Sequence, residues 1–173
     1  MVVAGLVVGM RTMNTRRGDR MAFVTLDDRT GQLELAVFSE MYERHRELLG
    51  KDNLLIVEGP VSVDEYSGGF RMSAEKIYDI DQARAAMASA LEIDVDAQLA
   101  GNGFTRDLQE ILKPATPGKC PVLLRYRRDD AEAQIVLGQE WRITPSGAVL
   151  ERLSQLAGQE HVRLIYAGAS HPG

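Results

Sequence analysis

Cysteine, histidine and long apolar runs are all scarce in this sequence of 173 residues. Its single cysteine, Cys120, excludes a framework of intramolecular disulfides and a multi-cysteine zinc site. The three histidines, His45, His161 and His171, stand too far apart along the chain to indicate a metal centre. We therefore expect no metal site and no disulfide-stabilised secreted domain.

The apolar segments are too short for a membrane span, which needs about 18–20 consecutive apolar residues. The longest opening run, MVVAGLVVGM at residues 1–10, lacks a basic lead-in and continues directly into Arg11. It predicts a β-strand rather than a signal peptide. The expected compartment is the cytoplasm, and a strand that begins at residue 2 leads us to expect a chain cut from a longer protein.

The net charge is −5, from 20 Lys and Arg residues against 25 Asp and Glu residues. With 45% hydrophobic and 26% charged residues, the composition is that of an ordinary globular protein. Proteins that bind nucleic acid through bulk attraction are usually basic. Any nucleic-acid binding by this chain therefore requires a local basic patch.

The first half of the chain reads as strands interrupted by turn residues. Strands are predicted at residues 2–13, 20–27, 32–38, 53–64 and 70–78, with a helix at 39–49. In the third strand Leu33, Leu35 and Val37 alternate with polar or small residues, which is typical of a half-buried antiparallel strand. Ser39 is expected to cap the helix and Gly50 to end it. Three strands, a helix and two strands are the order of the five-stranded OB barrel.

The second half has a different pattern. After an alanine-rich helical segment, the predicted elements are a strand at 91–95, a helix at 105–112, strands at 120–127 and 132–137, a helix at 147–156 and a strand at 162–166. Thr105 and Ser146 are the expected helix caps. The order β-α-β-β-α-β indicates a split βαβ arrangement.

The predicted fold class is therefore α+β, an OB-fold β-barrel followed by a small βαββαβ-type α/β sandwich domain. The expected boundaries are 1–79 for the barrel, 80–90 for a helical linker, 91–167 for the second domain and 168–173 for a flexible tail.

No catalytic constellation is visible in the sequence. The acidic pairs Asp27-Asp28 and Asp129-Asp130 could hold a divalent cation, but both fall at predicted hairpin turns, where Asp bonds the local backbone. Cys120 precedes a proline and has no neighbouring histidine, which favours an inert thiol over a nucleophile. The glycine clusters lack phosphate-loop spacing. We expect no catalytic residue and no cofactor in this chain.

Single-strand binding by OB barrels uses the outer face of strands two and three and the loops between strands one and two and strands four and five. Arginine and aromatic residues fall at these positions: Arg11, Arg16, Arg17, Arg20, Phe23, Phe38, Tyr66, Phe70 and Arg71. Two interpretations remain open, a nucleic-acid contact or a solvated loop with packed aromatic rings. Residues 1–79 carry ten Lys and Arg against thirteen Asp and Glu. Binding to DNA is therefore expected to be weak and salt-sensitive.

The only tryptophan, Trp141, lies in a polar connection of the second half. It is either a binding anchor or a lid over a small core, and the sequence does not separate the two. Arg125, Arg127 and Arg128 flank Tyr126 near a predicted hairpin turn. This pattern indicates a solvated sheet edge whose charges oppose aggregation, rather than a nucleic-acid site.

Three runs of sequence resemble a known family. They are VAGLVVGMRTMNTRRGDRMAFVTLDDRTGQLELAVF (3–38), LLIVEGPVSVDEYSGGFRMSAEKIYDIDQAR (54–84) and WRITPSGAVLERL (141–153). Together they resemble the C-terminal region of the bacterial DNA polymerase III alpha subunit. A looser version of the first pattern occurs in other OB domains, including the anticodon-binding domains of class II tRNA synthetases.

The resemblance implies a barrel near the single-stranded template and a terminal domain that docks the tau subunit of the clamp loader. By position, the implied template contacts are Arg16, Arg17, Arg20, Tyr66 and Arg71. For tau, the resemblance implies only which domain binds, not which residues. Within that domain we choose Trp141, Leu164 and Tyr166 as the expected contact residues. The chain would then be a non-catalytic part of a DNA-directed DNA polymerase, a nucleotidyltransferase. A free-standing OB module that binds RNA or tRNA is the alternative.

Overall fold

The computed structural model describes residues 1–64, 68–101 and 103–167. The chain divides into two compact units, Met1–Ile80 and Asp81–Gly173. Within the described residues, no helix is both long and apolar enough to cross a membrane.

The first unit is a curled β-sheet with one helix. Its elements are β1 (Val2–Asn14), β2 (Arg20–Asp27), β3 (Gln32–Val37), α1 (Ser39–His45), β4 (Leu54–Glu58), β5 (Val61–Val63), β6 (Phe70–Ser73) and β7 (Lys76–Tyr78). The strand order is β5-β6-β3-β2-β1-β4-β7. The predicted fourth strand is β4 plus β5 and the predicted fifth is β6 plus β7. The parallel pairing of β3 with β6 completes the OB-like barrel, which confirms the predicted fold.

Gly59 and Pro60 separate β4 from β5 at the point where the two broken strands cross. A Cβ on Gly59 would overlap the backbone carbonyl oxygen of Ser73, so a side chain cannot be accommodated there. The backbone N–H of Ser73 donates to the carbonyl of Pro60 at 3.0 Å. Because the chain bends at this crossing, β4 can pair with β1 while β5 pairs with β6.

The barrel interior is filled by the alternate residues of its strands and by the region of α1. The fully or nearly buried side chains include Val7, Val24, Leu26, Leu35, Val37, Tyr42, Leu49, Leu55, Val57 and Met72. Helix α1 ends at His45, earlier than expected, although Leu49 beyond it still enters the core. Ser39 is not the cap: Phe38 occupies the N-cap position and no side chain bonds there.

The second unit is a four-stranded sheet with helices packed on one face. Its elements are α2 (Ile80–Met87), β8 (Ala88–Asp96), α3 (Phe104–Leu112), β9 (Val122–Arg128), β10 (Ala131–Val136), α4 (Gly147–Ala157) and β11 (Val162–Tyr166). The strand order is β10-β9-β8-β11, in which only β8 and β9 are parallel. The apolar side of the sheet and helices α3 and α4 share one buried core.

The structure differs from the expected second half in three places. The linker helix ends at Met87, because Ala88 and Ala90 pair with β11 as part of β8. The split βαβ arrangement is wrong: β8 and β9 are direct neighbours, since the order of elements along a chain does not decide which strands pair. Thr105 lies inside α3 and does not cap it. Ser146 does cap α4, by accepting a hydrogen bond from the backbone N–H of Val149.

Candidate nucleic-acid interface

Phe23 lies at the centre of the outer face of the barrel. Its neighbours on β2, Ala22 and Val24, are fully buried, so strand alternation directs Phe23 outward. The guanidinium carbon of Arg11, on β1, lies 4.1 Å from the centroid of the Phe23 ring. That of Arg71, on β6, lies 4.9 Å from the same centroid. Both distances are those of cation–π contacts.

A β-bulge in β1 determines which face Arg11 occupies. Val7 pairs with Leu26 in the core, yet Gly9 pairs with the next residue of β2, Thr25, and leaves Val8 as the extra residue. In a regular strand Val7 and Arg11 would share a face, because side chains alternate with a period of two. The bulge reverses this alternation and places Arg11 opposite Phe23.

Glu34, on β3, joins the two arginines. Its carboxylate accepts a hydrogen bond of 2.9 Å from Nη2 of Arg11 and one of 2.8 Å from Nε of Arg71. Asp64 adds a second carboxylate, 3.1 Å from Nη1 of Arg71. We call the set formed by Arg11, Phe23, Glu34, Asp64 and Arg71 the Phe23 cluster. Its two positive charges are matched by two negative ones.

The electrostatics of the Phe23 cluster hold Glu34 in its charged form. Partial burial of this carboxyl would raise its pKa, but the hydrogen bonds and charges of Arg11 and Arg71 outweigh that effect and lower it. The two guanidiniums are therefore already bound to carboxylate in the free barrel.

The loop between β1 and β2 presents a different electrostatic surface. It is closed by a 2.7 Å hydrogen bond from the N–H of Thr15 to the carbonyl of Asp19. Arg16, Arg17 and Arg20 are exposed there. None of the three lies within ion-pair distance of a carboxylate in the described part of the chain. We call these residues the arginine loop.

The predicted nucleic-acid residues thus fall into two neighbouring groups. The structure brings Arg11, Phe23 and Arg71 together in the Phe23 cluster and Arg16, Arg17 and Arg20 together in the arginine loop. Tyr66 lies outside the described residues. Phe70, at the start of β6, is 69% exposed and pairs across the hairpin with Val63, which is also exposed.

Sequence reasoning missed Glu34 and Asp64 as partners of the arginines. The alternation in β3 does place Glu34 on the outer face. The contact with Arg71, however, depends on the pairing of β3 with β6, which joins residues 37 positions apart. No local pattern identifies such a contact.

The three predicted partner-binding residues do not form one surface. Trp141 is partly buried and lines a cleft of about 240 Å³ with apolar residues of α3, β9 and β10. Leu164 is partly buried against the core, and Tyr166 is 37% exposed at the end of β11. Because β10 and β11 are opposite edges of the sheet, Trp141 lies apart from the other two.

The polar face of the second sheet contains an ion-pair network that the sequence did not reveal. Glu92 is only 5% exposed, and it accepts hydrogen bonds from Arg125 at 3.0 Å and from Arg163 at 2.6 Å. The interpretation of Arg125 as a solvated edge residue is therefore wrong, because Glu92 and its neighbours hold it. Arg127 and Arg128 are exposed, as expected, but the predicted sheet edge is wrong for them as well, because β9 lies between β10 and β8.

The remaining candidate chemical groups serve the local structure. Asp28 accepts hydrogen bonds from Thr30 and Gly31 in the β2–β3 turn, and these bonds lower its pKa. Cys120 is buried, and burial raises the pKa of its thiol. Within the described residues, no group of three or more His, Cys, Asp or Glu side chains is arranged to hold a metal ion.

Two protein-family models match the chain. The model described as an OB-fold nucleic acid binding domain covers residues 1–80. The model described as the C-terminal domain of DNA polymerase III subunit alpha covers residues 107–158. The two matches fall in the barrel and in the second sheet unit, respectively.

Curated relatives extend the likeness to nearly the whole chain. The DNA polymerase III alpha subunit of Vibrio cholerae serotype O1 is 42% identical over 166 residues, 96% of this chain and 14% of that protein. The same subunit of Escherichia coli K12 is 42% identical over 163 residues, 94% of this chain and 14% of that protein. The chain therefore spans about a seventh of the length of these relatives.

Solved structures resemble the chain more distantly. A domain of replication protein A from Methanococcus maripaludis aligns with 46% of this chain and 80% of its own, at 20% identity and a TM-score of 0.38. A likeness at this level does not bear on function. By the sequence relatives and the two family models, the chain belongs to the bacterial DNA polymerase III alpha subunit family and corresponds to its C-terminal region.

Proposed function

We propose that this chain is a non-catalytic part of a replicative DNA polymerase in the cytoplasm. The barrel contacts the single-stranded template, and the second domain docks the tau subunit of the clamp loader during chromosomal replication. The observation that carries the template contact is the arginine loop. It places three exposed guanidiniums, none of them paired with a described carboxylate, at the β1–β2 loop of an OB barrel.

The arginine loop has the chemistry that a phosphate backbone requires. Arg16, Arg17 and Arg20 are exposed and are not neutralised by a described carboxylate, so phosphates can bind them without displacing a partner. The barrel as a whole is acidic, which limits attraction to these local contacts. We expect a weak contact that gains effective concentration when the barrel is tethered to a polymerase already on DNA.

The tau contact rests on membership of the family. The match to the C-terminal domain of the alpha subunit, residues 107–158, includes β9, β10 and α4. The Trp141 cleft and the exposed end of β11 at Tyr166 lie at different edges of this unit. We therefore propose them as two separate places at which tau can be tested.

The template contact is tested by fluorescence anisotropy of a labelled poly-dT oligonucleotide with the 173-residue chain. The variant Arg16→Ala/Arg17→Ala should lose most of the binding, and each lost phosphate contact should reduce the salt slope by about 0.7. Arg44→Ala/Arg46→Ala removes the same charge from the region of α1 and serves as the matched control. Equal binding by the two double variants would contradict the proposal.

The two-domain division of labour is tested on the same proteins. Binding of purified tau should be unchanged in Arg16→Ala/Arg17→Ala and reduced by substitution of Tyr166 or of residues in the Trp141 cleft. Loss of both DNA and tau binding in the loop variant would contradict two independent contacts. A parallel titration with poly-rU tests the alternative function, a free-standing OB module that binds RNA or tRNA. Such a module would bind poly-rU more tightly than poly-dT.

A further inference from the structure

We propose that Glu34 determines the affinity of the barrel for single-stranded DNA by competing with phosphate for Arg11 and Arg71. This inference rests on the proposed template contact. It assigns to the Phe23 cluster a role different from that of the arginine loop: the loop attracts the strand, whereas the Phe23 cluster limits how tightly the strand is held.

The first argument is the chemistry of the guanidinium. An arginine presents its N–H donors as a planar fork that fits either a carboxylate or a phosphate. In the free barrel Glu34 accepts hydrogen bonds from both Arg11 and Arg71. A phosphate can reach these donors only when the carboxylate gives them up.

The second argument is accessibility. The side chain of Glu34 is 28% exposed and that of Arg11 is 62% exposed, so solvent and a DNA strand can reach their ion pair. Asp64, in contrast, is buried beside Arg71. The exchangeable carboxylate of the cluster is therefore Glu34, while Asp64 holds Arg71 at its position.

The third argument is the position of the aromatic ring. The guanidiniums of Arg11 and Arg71 lie 4.1 Å and 4.9 Å from the centroid of Phe23. A base can stack on this ring only when a guanidinium moves aside. Release of the arginines from Glu34 thus frees both phosphate donors and a stacking surface, which couples the two kinds of contact.

The test is the affinity of Glu34→Gln for the labelled poly-dT oligonucleotide over a series of salt concentrations. Glu40→Gln, on α1, removes the same charge from an exposed ion pair with Arg44 and serves as the control. We expect Glu34→Gln to bind about three- to tenfold more tightly than Glu40→Gln and to show a steeper salt slope, because two further guanidiniums become available to phosphate. A purely structural role for Glu34 predicts weaker binding instead and would overturn the inference.

A measurement on the unaltered protein does not depend on how the variant folds. The Nε–Hε NMR signal of Arg71 reports its hydrogen bond to Glu34. It should shift during the oligonucleotide titration, with the same midpoint as the anisotropy. An Arg71 signal that stays unchanged at saturation would overturn the inference.

Failure of this inference differs from failure of the proposed function. One outcome overturns only the role of Glu34. In it the unaltered chain binds the oligonucleotide, Arg16→Ala/Arg17→Ala does not bind it, and Glu34→Gln has the same affinity as Glu40→Gln. If neither the unaltered chain nor Glu34→Gln binds at low salt, both are overturned. Binding by Glu34→Gln alone would support the competition.

Discussion

Arg11 and Phe23 lie directly opposite each other on β1 and β2, with the guanidinium carbon 4.1 Å from the ring centroid. The contact exists because Val8 is an extra residue in β1. Without that bulge the alternation from the buried Val7 would direct Arg11 into the barrel. One inserted residue therefore brings a cation into the candidate interface.

Deletion of Val8 should be tolerated, because the remaining residues can keep the pairs Val7–Leu26 and Gly9–Thr25 as a regular strand. We expect a loss of about 1–2 kcal/mol in the free energy of unfolding, measured by urea denaturation. Deletion of Thr25 from β2 has no bulge to absorb it and should cost about 3 kcal/mol or more, because part of the strand then changes face. An equal loss of unfolding free energy in the two deletion variants would contradict the assigned register between β1 and β2.

Gly59→Ala should destabilise the barrel by about 2–3 kcal/mol or prevent folding, because the new Cβ would meet the backbone of Ser73. Gly31→Ala is the matched control, since no atom lies within 4 Å of its added Cβ. Thermal and urea denaturation measure both variants. Similar stabilities for the two would mean that β4 and β5 do not cross β6 and β7 at Gly59.

Acid should remove the stabilisation that Glu34 provides. The pKa of Glu34 is lowered in the folded protein from its ordinary value of 4.5. Its ion pairs therefore stabilise the fold above that pH and cease to do so as the pH falls through the folded value. We expect the unaltered chain to exceed Glu34→Gln by about 1 kcal/mol in unfolding free energy at pH 7. In urea denaturation at decreasing pH, the unfolding free energies of the unaltered chain and of Glu34→Gln should become equal. A difference that stays constant with pH would contradict the assigned ion pairs of Glu34.

Trp141→Ala should destabilise the second unit by about 2–3 kcal/mol, because this side chain packs against the core. Tyr166→Ala, at an exposed strand end, should cost less than about 1 kcal/mol. Urea denaturation followed by circular dichroism compares them without relying on tryptophan fluorescence. A stable Trp141→Ala protein that has lost only tau binding would instead favour the binding-anchor interpretation.

Much of the fold could be predicted from the sequence because its signals are local. Alternation in β3 placed Leu35 and Val37 inward, and Ser146 marked the start of α4. These patterns depend on residues a few positions apart. The helix caps expected at Ser39 and Thr105 were wrong because both residues lie inside their helices and not at the N-cap position.

The candidate site was predictable in its residue types but not in its connections. The position of Arg16 and Arg17 in an exposed loop follows from the turn residues around them. The ion pairs of Arg71 with Glu34 and of Arg125 with Glu92 required strand pairings between distant segments. Neither pairing has a sequence signal of its own.

The sequence by itself determined the order of strands and helices, the inward side of β3 and the family likeness, because these depend on periodicity and on runs of neighbouring residues. The tertiary structure alone decided that β3 lies beside β6, that β8 lies beside β9 and that a bulge turns Arg11 toward Phe23. Those features depend on how the sheet closes and how the core fills. Closure and packing are properties of the whole chain, and they decide which charges meet on its surface.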